Sequence, residues 1–133
     1  MSELTVQNLQ STYVDVGPGT RGVAVQGGPA FWQALISGQA DLKGDWLLTA
    51  SSHDGTWPHW EMHPQGEEIV LLLSGRFDFE LDLDGERTTL QLRDPFDYVL
   101  VPRGAWHIAR DARDARVLFL TAGEGTEHRP EEG

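Results

Sequence analysis

Two short stretches hold the residues whose types and spacing could do chemistry. The first is Glu61-Met62-His63-Pro64-Gln65-Gly66-Glu67-Glu68, and the second, about forty residues later, is Pro102-Arg103-Gly104-Ala105-Trp106-His107. Glu61 and His63 are two apart, so on a strand they share a face, and His59 shares it with them; Trp60 and Met62 point the other way. Pro64-Gln65-Gly66 is a tight turn that lets Glu68 open the next strand and face back toward His63. The Pro-x-Gly turn before His107 would aim that ring into the same interior. Glu61, His63, Glu68 and His107 together could hold one divalent metal with mixed nitrogen and oxygen ligands. A six-coordinate ion would keep two open positions, the pattern of a catalytic site and not of a closed structural one. The chain has no cysteine, which excludes disulfides, thiolate ligands and a thiol nucleophile and leaves Fe, Mn, Ni, Co or Zn as suitable ions. Without a metal, Glu61 and Glu68 would be like charges in a shared pocket; one should then hold a proton that metal binding expels.

These residues need strands to position them. Arg76–Leu83 alternates without a break: Phe77, Phe79, Leu81 and Leu83 on one face, Asp78, Glu80 and Asp82 on the other. Asp84-Gly85 is a hairpin signal and Arg87–Leu92 alternates again. Trp46–Ala50, Trp57–His63, Glu68–Leu73, Tyr98–Val101, Trp106–Ala109 and Arg116–Thr121 complete the set, with Ser74-Gly75 read as a turn and Ala109–Arg116, which repeats Ala-Arg-Asp, as a solvated hairpin tip. Strands about every eight to twelve residues predict an all-β fold, an antiparallel sandwich or small barrel. Pro29–Ile36 reads as one short N-terminal helix stopped at Gly38 and packed on a sheet. The expected organisation is a single domain: an arm over 1–45 with short strands and that helix, a barrel over 46–122, and a frayed acidic tail over 123–133.

Composition bounds the partners. The 133 residues carry a formal net charge of -11, which disfavours nucleic acid and anionic membranes. No apolar run approaches the roughly eighteen residues of a membrane span, and the N-terminus lacks a signal core, so a cytoplasmic location is expected. Ile69–Leu73 is apolar on both faces and needs a second cover, for which a homodimer is the expected source.

Gly55, Glu61-x-His63, Glu68 and Gly75 stand at the spacing of the first cupin motif, and Phe96-Asp97 followed by Pro102-x-Gly104-x-x-His107 resembles the second. Three positions depart from the usual pattern: Glu61 for the first His, Phe96 for Gly, and Asp111 for Asn. The chain thus resembles a single-domain cupin, a jelly-roll barrel. The resemblance implies a metal held by Glu61, His63, Glu68 and His107. It also implies oxidation of a small organic substrate chelated there, in the manner of a dioxygenase, or alternatively a sugar or keto-acid isomerase or a non-enzymatic small-molecule binder. Glu61 could instead be a substrate-facing acid or base. His59 could replace it as a ligand, donate a hydrogen bond to a ligand, or line the mouth, and either Glu61 or His59 would be the proton shuttle. His53 and His128 are expected on the surface. Trp57, Phe77, Phe79 and Tyr98 are candidates to line the pocket.

Overall fold

The computed structural model describes residues 4–37 and 44–131. Its elements are β1 (Thr12–Val16), β2 (Gly22–Gln26), α1 (Pro29–Ile36), β3 (Trp46–Gly55), β4 (His59–Met62), β5 (Glu68–Leu83), β6 (Glu86–Leu92), β7 (Tyr98–Val101), β8 (Trp106–Thr121) and β9 (Glu127–Pro130). All pairings are antiparallel, and β5 and β8 form the spine, paired from Glu68 opposite Thr121 to Asp82 opposite Trp106 with register shifts in the middle. The free edge of β8 takes β3 along one half and β4 at the other, where Glu61 lies opposite His107. The free edge of β5 takes β6 and β7, and β9 flanks β4. Curling this sheet buries Val70, Leu72, Phe77, Phe79, Val101 and Val117 inside the expected antiparallel jelly-roll barrel. Each fully buried side chain of this size contributes about 1.5–3 kcal/mol.

Several local expectations hold for the reasons given. Asp84 and Gly85 both have positive φ, 55° and 84°, as a tight hairpin turn of this twist requires. α1 is too short to stand alone; Phe31 seats it against Tyr13 and Leu47, and the Trp32 indole donates to the Tyr13 hydroxyl at 3.2 Å. The Ser37 backbone N–H caps its end, while Gly38 lies outside the described residues.

Three expectations are overturned. Ser74-Gly75 is not a turn: β5 runs through it, and Ala109–Arg116 is not a hairpin tip but the middle of β8. Ala109, Ala112 and Ala115 are all buried in the core. Asp111 and Asp114 have φ of 53° and 47°, so each Ala-Arg-Asp unit carries an extra residue and turns the ordinary period of two into three. The pairing with β5 shifts register across this stretch. Gly75, at φ 76°, answers the bulges: any side chain there would meet the Arg113 and Asp114 carbonyl oxygens. Within the expected tail, residues 127–130 are not frayed either, because β9 pairs with β4 from His59–Pro130 to Met62–Glu127; residues 132–133 lie outside the described residues.

The outer faces differ in character. Trp60 is buried beneath the guanidinium groups of Arg87, Arg110 and Arg129, 5.3, 5.6 and 5.2 Å from its ring centroid, and Arg129 also covers Trp106 at 4.6 Å. Arg110 adds ion pairs to Glu80 and Glu131 at 2.8 and 2.7 Å. Around β7 the outer face is apolar and open: Tyr98, a candidate pocket-lining residue, is 61% exposed there beside Phe96, Leu100 and Leu73. No helix among the described residues is long and apolar enough to cross a membrane.

Candidate metal centre

The two motif segments meet inside the barrel. Gly104 has φ 81°, and its backbone N–H donates to the His63 carbonyl at 3.1 Å, which ties the second turn to the first motif. Parity then delivers the side chains. His63, Glu68 and His107 are buried, whereas the Glu61 side chain remains 33% exposed at the open side. Glu68 Oε1 lies 3.4 Å from His63 Nε2 and 3.2 Å from His107 Nε2, and Glu61 Oε2 lies 4.0 Å from His107 Nε2. Ligand atoms of Glu61, His63 and His107 fall within 4.8 Å of one another. The structure therefore brings together all four of the residues expected at the centre.

Their outer atoms fix their chemistry. His107 Nδ1 lies 3.0 Å from the Ala105 carbonyl, which can only accept, so Nδ1 carries the hydrogen. Thr126 Oγ1 donates to the Gly123 carbonyl at 2.7 Å and so can only accept from His63 Nδ1 at 2.8 Å. Thr121 Oγ1 donates to Glu68 Oε2 at 2.5 Å. What remains is His63 Nε2, His107 Nε2 and Glu68 Oε1: buried, mutually close and without a well-aligned hydrogen-bond partner. Three converging lone pairs repel unless something positive sits among them. A divalent ion fits this donor set, and two carboxylates with two neutral imidazoles would balance its charge.

In a metal-free site a proton supplies part of that positive charge. Burial alone would push Glu68 up, but the close approach and charge of His107 and then His63 hold it down at about 2. Burial alone would lower His107, and the contact with Glu68, its charge, the Ala105 carbonyl and Glu61 raise it instead. The proton expected on a carboxylate therefore does not reside on Glu68; His107 is the better place for it.

The other histidines depart from expectation or refine it. His128 is exposed, as expected, but it also stands opposite Glu61 on β9 with Nε2 3.3 Å from Glu61 Oε1. Its pKa is raised by that hydrogen bond, against partial burial, with the Glu61 charge adding and the His107 charge opposing. His59 lies exposed on the rim, its ring 6.5 Å from that of His128. His53, also expected on the surface, is half-buried: its Nδ1 accepts from the Trp57 indole at 3.2 Å and its Nε2 meets Ser51 Oγ at 2.8 Å. Trp57 separates His53 from the centre, with its ring 6.5 Å from His107. Phe77 and Phe79 are core residues. The period-two pattern Thr126-x-His128 and the parity of Ser51 with His53 were the signals available, but the partners that give them roles lie on other strands.

Cavities of about 390 and 480 Å³ lie elsewhere, the first beside Asp45, Glu67, Arg103 and Glu124, the second beside Ser52, His53, Asp54 and Arg116. The centre instead opens at the β4–β9 rim, where Glu61, His59 and His128 meet solvent.

A curled antiparallel barrel carrying inward histidines and glutamates from two turn-linked motifs defines a class of small β-barrel proteins. A family model described as "Cupin domain" matches residues 49–123, and the chain belongs to the cupin family. Sequence comparison with curated proteins gives no match. Among solved structures, it is similar to Peruvianin-I, a cysteine peptidase from Thevetia peruviana latex, at 13% identity and a TM-score of 0.52 over 65% of this chain and 56% of that one. It is also similar to vicilin from hazelnut, Corylus avellana, at 16% identity and a TM-score of 0.50 over 65% of this chain and 26% of that one. Hydroquinone 1,2-dioxygenase from Sphingomonas sp. TTNP3 matches at 18% identity and a TM-score of 0.47 over 56% of this chain and 57% of that one. The chain thus spans little more than half the length of the first and less of the second. At such identities the likeness is one of fold, and fold does not carry activity. A chain without cysteine has no thiol to serve as a peptidase nucleophile.

Proposed function

We propose that this cupin binds one divalent metal, of the Fe, Mn, Ni or Zn group, through Glu61, His63, Glu68 and His107. We further propose that it acts on a small organic substrate chelated there, oxidation of the dioxygenase kind being the preferred chemistry. The observation that carries the reading is the convergence of His63 Nε2, His107 Nε2 and Glu68 Oε1, buried and without hydrogen-bond partners. Orphaned buried polar atoms are costly, and three aimed at one point have a common remedy in a cation. Bound there, the ion would supply a Lewis-acid template and, if redox-active, electrons for oxygen chemistry.

The chain's own residues then divide the work. His63, Glu68 and His107 hold the centre from the buried side. Phe79 and Trp57 pack against the His107 ring and keep water from that side. Glu61 sits where the barrel opens, between His107 and His128, so its Oε1 can take a substrate proton and His128 can pass it toward the rim. His59, exposed beside His128, would serve at the mouth and not at the reacting atoms.

The open apolar face around Leu73, Tyr98 and Leu100 supports a homodimer. Pairing that face about a two-fold axis would cover both copies.

Elemental analysis of untagged protein tests the centre: near-stoichiometric metal, absent from His63→Ala, is the expected result. Fe(II)-loaded protein should then consume oxygen with a small phenol, diketone or thiol. Silence across a broad panel at full metal content would sink the oxidative reading.

A further inference from the structure

The two histidines of the centre are oriented in different ways. His107 is held by the Ala105 carbonyl two residues away, within its own turn. His63 is held by Thr126, sixty-three residues away, across the β4–β9 edge. We propose that Thr126 is a positioning residue for the metal centre: its hydroxyl, locked by Gly123, fixes His63 with Nε2 bare and aimed inward, so tight metal binding depends on the docked C-terminal strand. This inference rests on the metal-binding reading above.

The hydroxyl has one hydrogen and Gly123 takes it at 2.7 Å, so Oγ1 offers His63 only a lone pair. The opposite tautomer would put a hydrogen on Nε2, pointing into the space the cation needs, and would require Thr126 to abandon Gly123. The turn that presents Thr126 is itself built in. The Thr126 backbone N–H donates to the same Gly123 carbonyl at 3.1 Å, and Gly125, at φ 74°, sits where any side chain would touch Pro64, the residue after His63. Beyond it, β9 is pinned by its ladder to β4, by Arg129 over Trp60 and Trp106, and by the pair of Arg110 with Glu131. Partners that hold the far nitrogen of a ligating histidine typically change metal affinity by about 10–100-fold when removed. Coupling of this kind is reciprocal, so metal binding should in turn hold β9 down.

The test titrates Zn(II) into metal-free, full-length protein against a chromophoric chelator, for wild type, Thr126→Val, Thr126→Ser and His63→Ala. Thr126→Val keeps the shape and removes the acceptor; it should weaken Zn(II) about 10–100-fold, while Thr126→Ser should bind close to wild type. Hydrogen exchange at residues 126–130 should slow on Zn(II) addition in wild type and respond less in Thr126→Val. Melting of the metal-free variants separates positioning from plain stability. Affinity that falls only in step with melting temperature, Thr126→Ser as weak as Thr126→Val, or Thr126→Val binding like wild type would each overturn the inference. Zn(II) binding that is lost in His63→Ala yet untouched in Thr126→Val overturns it alone. Wild type that binds no Zn(II) removes the metal centre, and this inference with it.

Discussion

Two groups of imidazole lie on either side of Trp57, one half-buried and one buried, and they have opposite fates. At His53 both ring nitrogens are satisfied: Trp57 donates to Nδ1, which leaves the hydrogen on Nε2 for Ser51. At His63 and His107 only the outer nitrogens are satisfied, and the inner ones face Glu68 bare. Both groups are at least partly buried, so burial alone does not mark a ligand. What marks it is a lone pair held in place by a partner on the far nitrogen and given nothing of its own to bind. The titrations diverge accordingly. Burial lowers His53, with the Glu61 charge opposing, whereas the carboxylates overcome burial and raise His107.

The sharpest way to break this contrast is to remove one member of each group. His107→Ala should abolish near-stoichiometric metal, an affinity loss beyond about 100-fold given what even indirect partners contribute. It should also cost metal-free protein about 3–5 kcal/mol, because buried Glu68 loses its main partner. His53→Ala should leave metal content intact by elemental analysis and cost about 1–3 kcal/mol in denaturant melts, mostly through the stranded Trp57 N–H. If His53→Ala removes metal as well, the two groups are one site and the contrast falls.

Acidity sharpens the comparison further. His107 titrates higher folded than unfolded, so in metal-free protein its contribution is complete below the ordinary value of 6.5 and fades as pH rises through the raised folded value. His53 is the reverse: its contribution is present above 6.5 and is lost as pH falls toward the depressed folded value. Glu68, held at about 2 against 4.5, adds stability above 4.5 that is lost on acidification toward 2. Melting temperature followed over pH should therefore decline more steeply below 6.5 in wild type than in His53→Gln. Above 6.5, metal-free wild type should decline more steeply than His107→Gln. The smallest effect expected is that of Arg129→Ala: loss of its stacking on Trp60 and Trp106 should cost about 1–2 kcal/mol of melting stability and loosen β9, with metal still bound.

The four converging residues were legible because local rules deliver them. Parity puts Glu61 and His63 on one face, and glycine turns aim Glu68 and His107. The alternation of β5 and the Asp84-Gly85 hairpin were legible for the same reason. The Ala-Arg-Asp stretch was not, since a bulge in each repeat disguises a strand as a period-three polar run. Nor was β9. Its residues are polar, and it is held by register with β4 and by arginine stacking, neither of which leaves a hydrophobic pattern. His128 and Thr126 went with it, because a role conferred by a partner more than sixty residues away has no local signature.

The strand order has a consequence for synthesis. β4 has two neighbours in the sheet, β8 and β9, and both lie later in the chain than β4 itself. While the chain emerges from the ribosome, Glu61, His63 and Glu68 are available long before His107 or Thr126. A nascent chain can offer a cation a few loose carboxylate and imidazole groups but no pre-formed cage. On the metal-binding reading, the ion would therefore be selected by the folded barrel, after β9 has docked, and not by whichever metal the growing chain meets first.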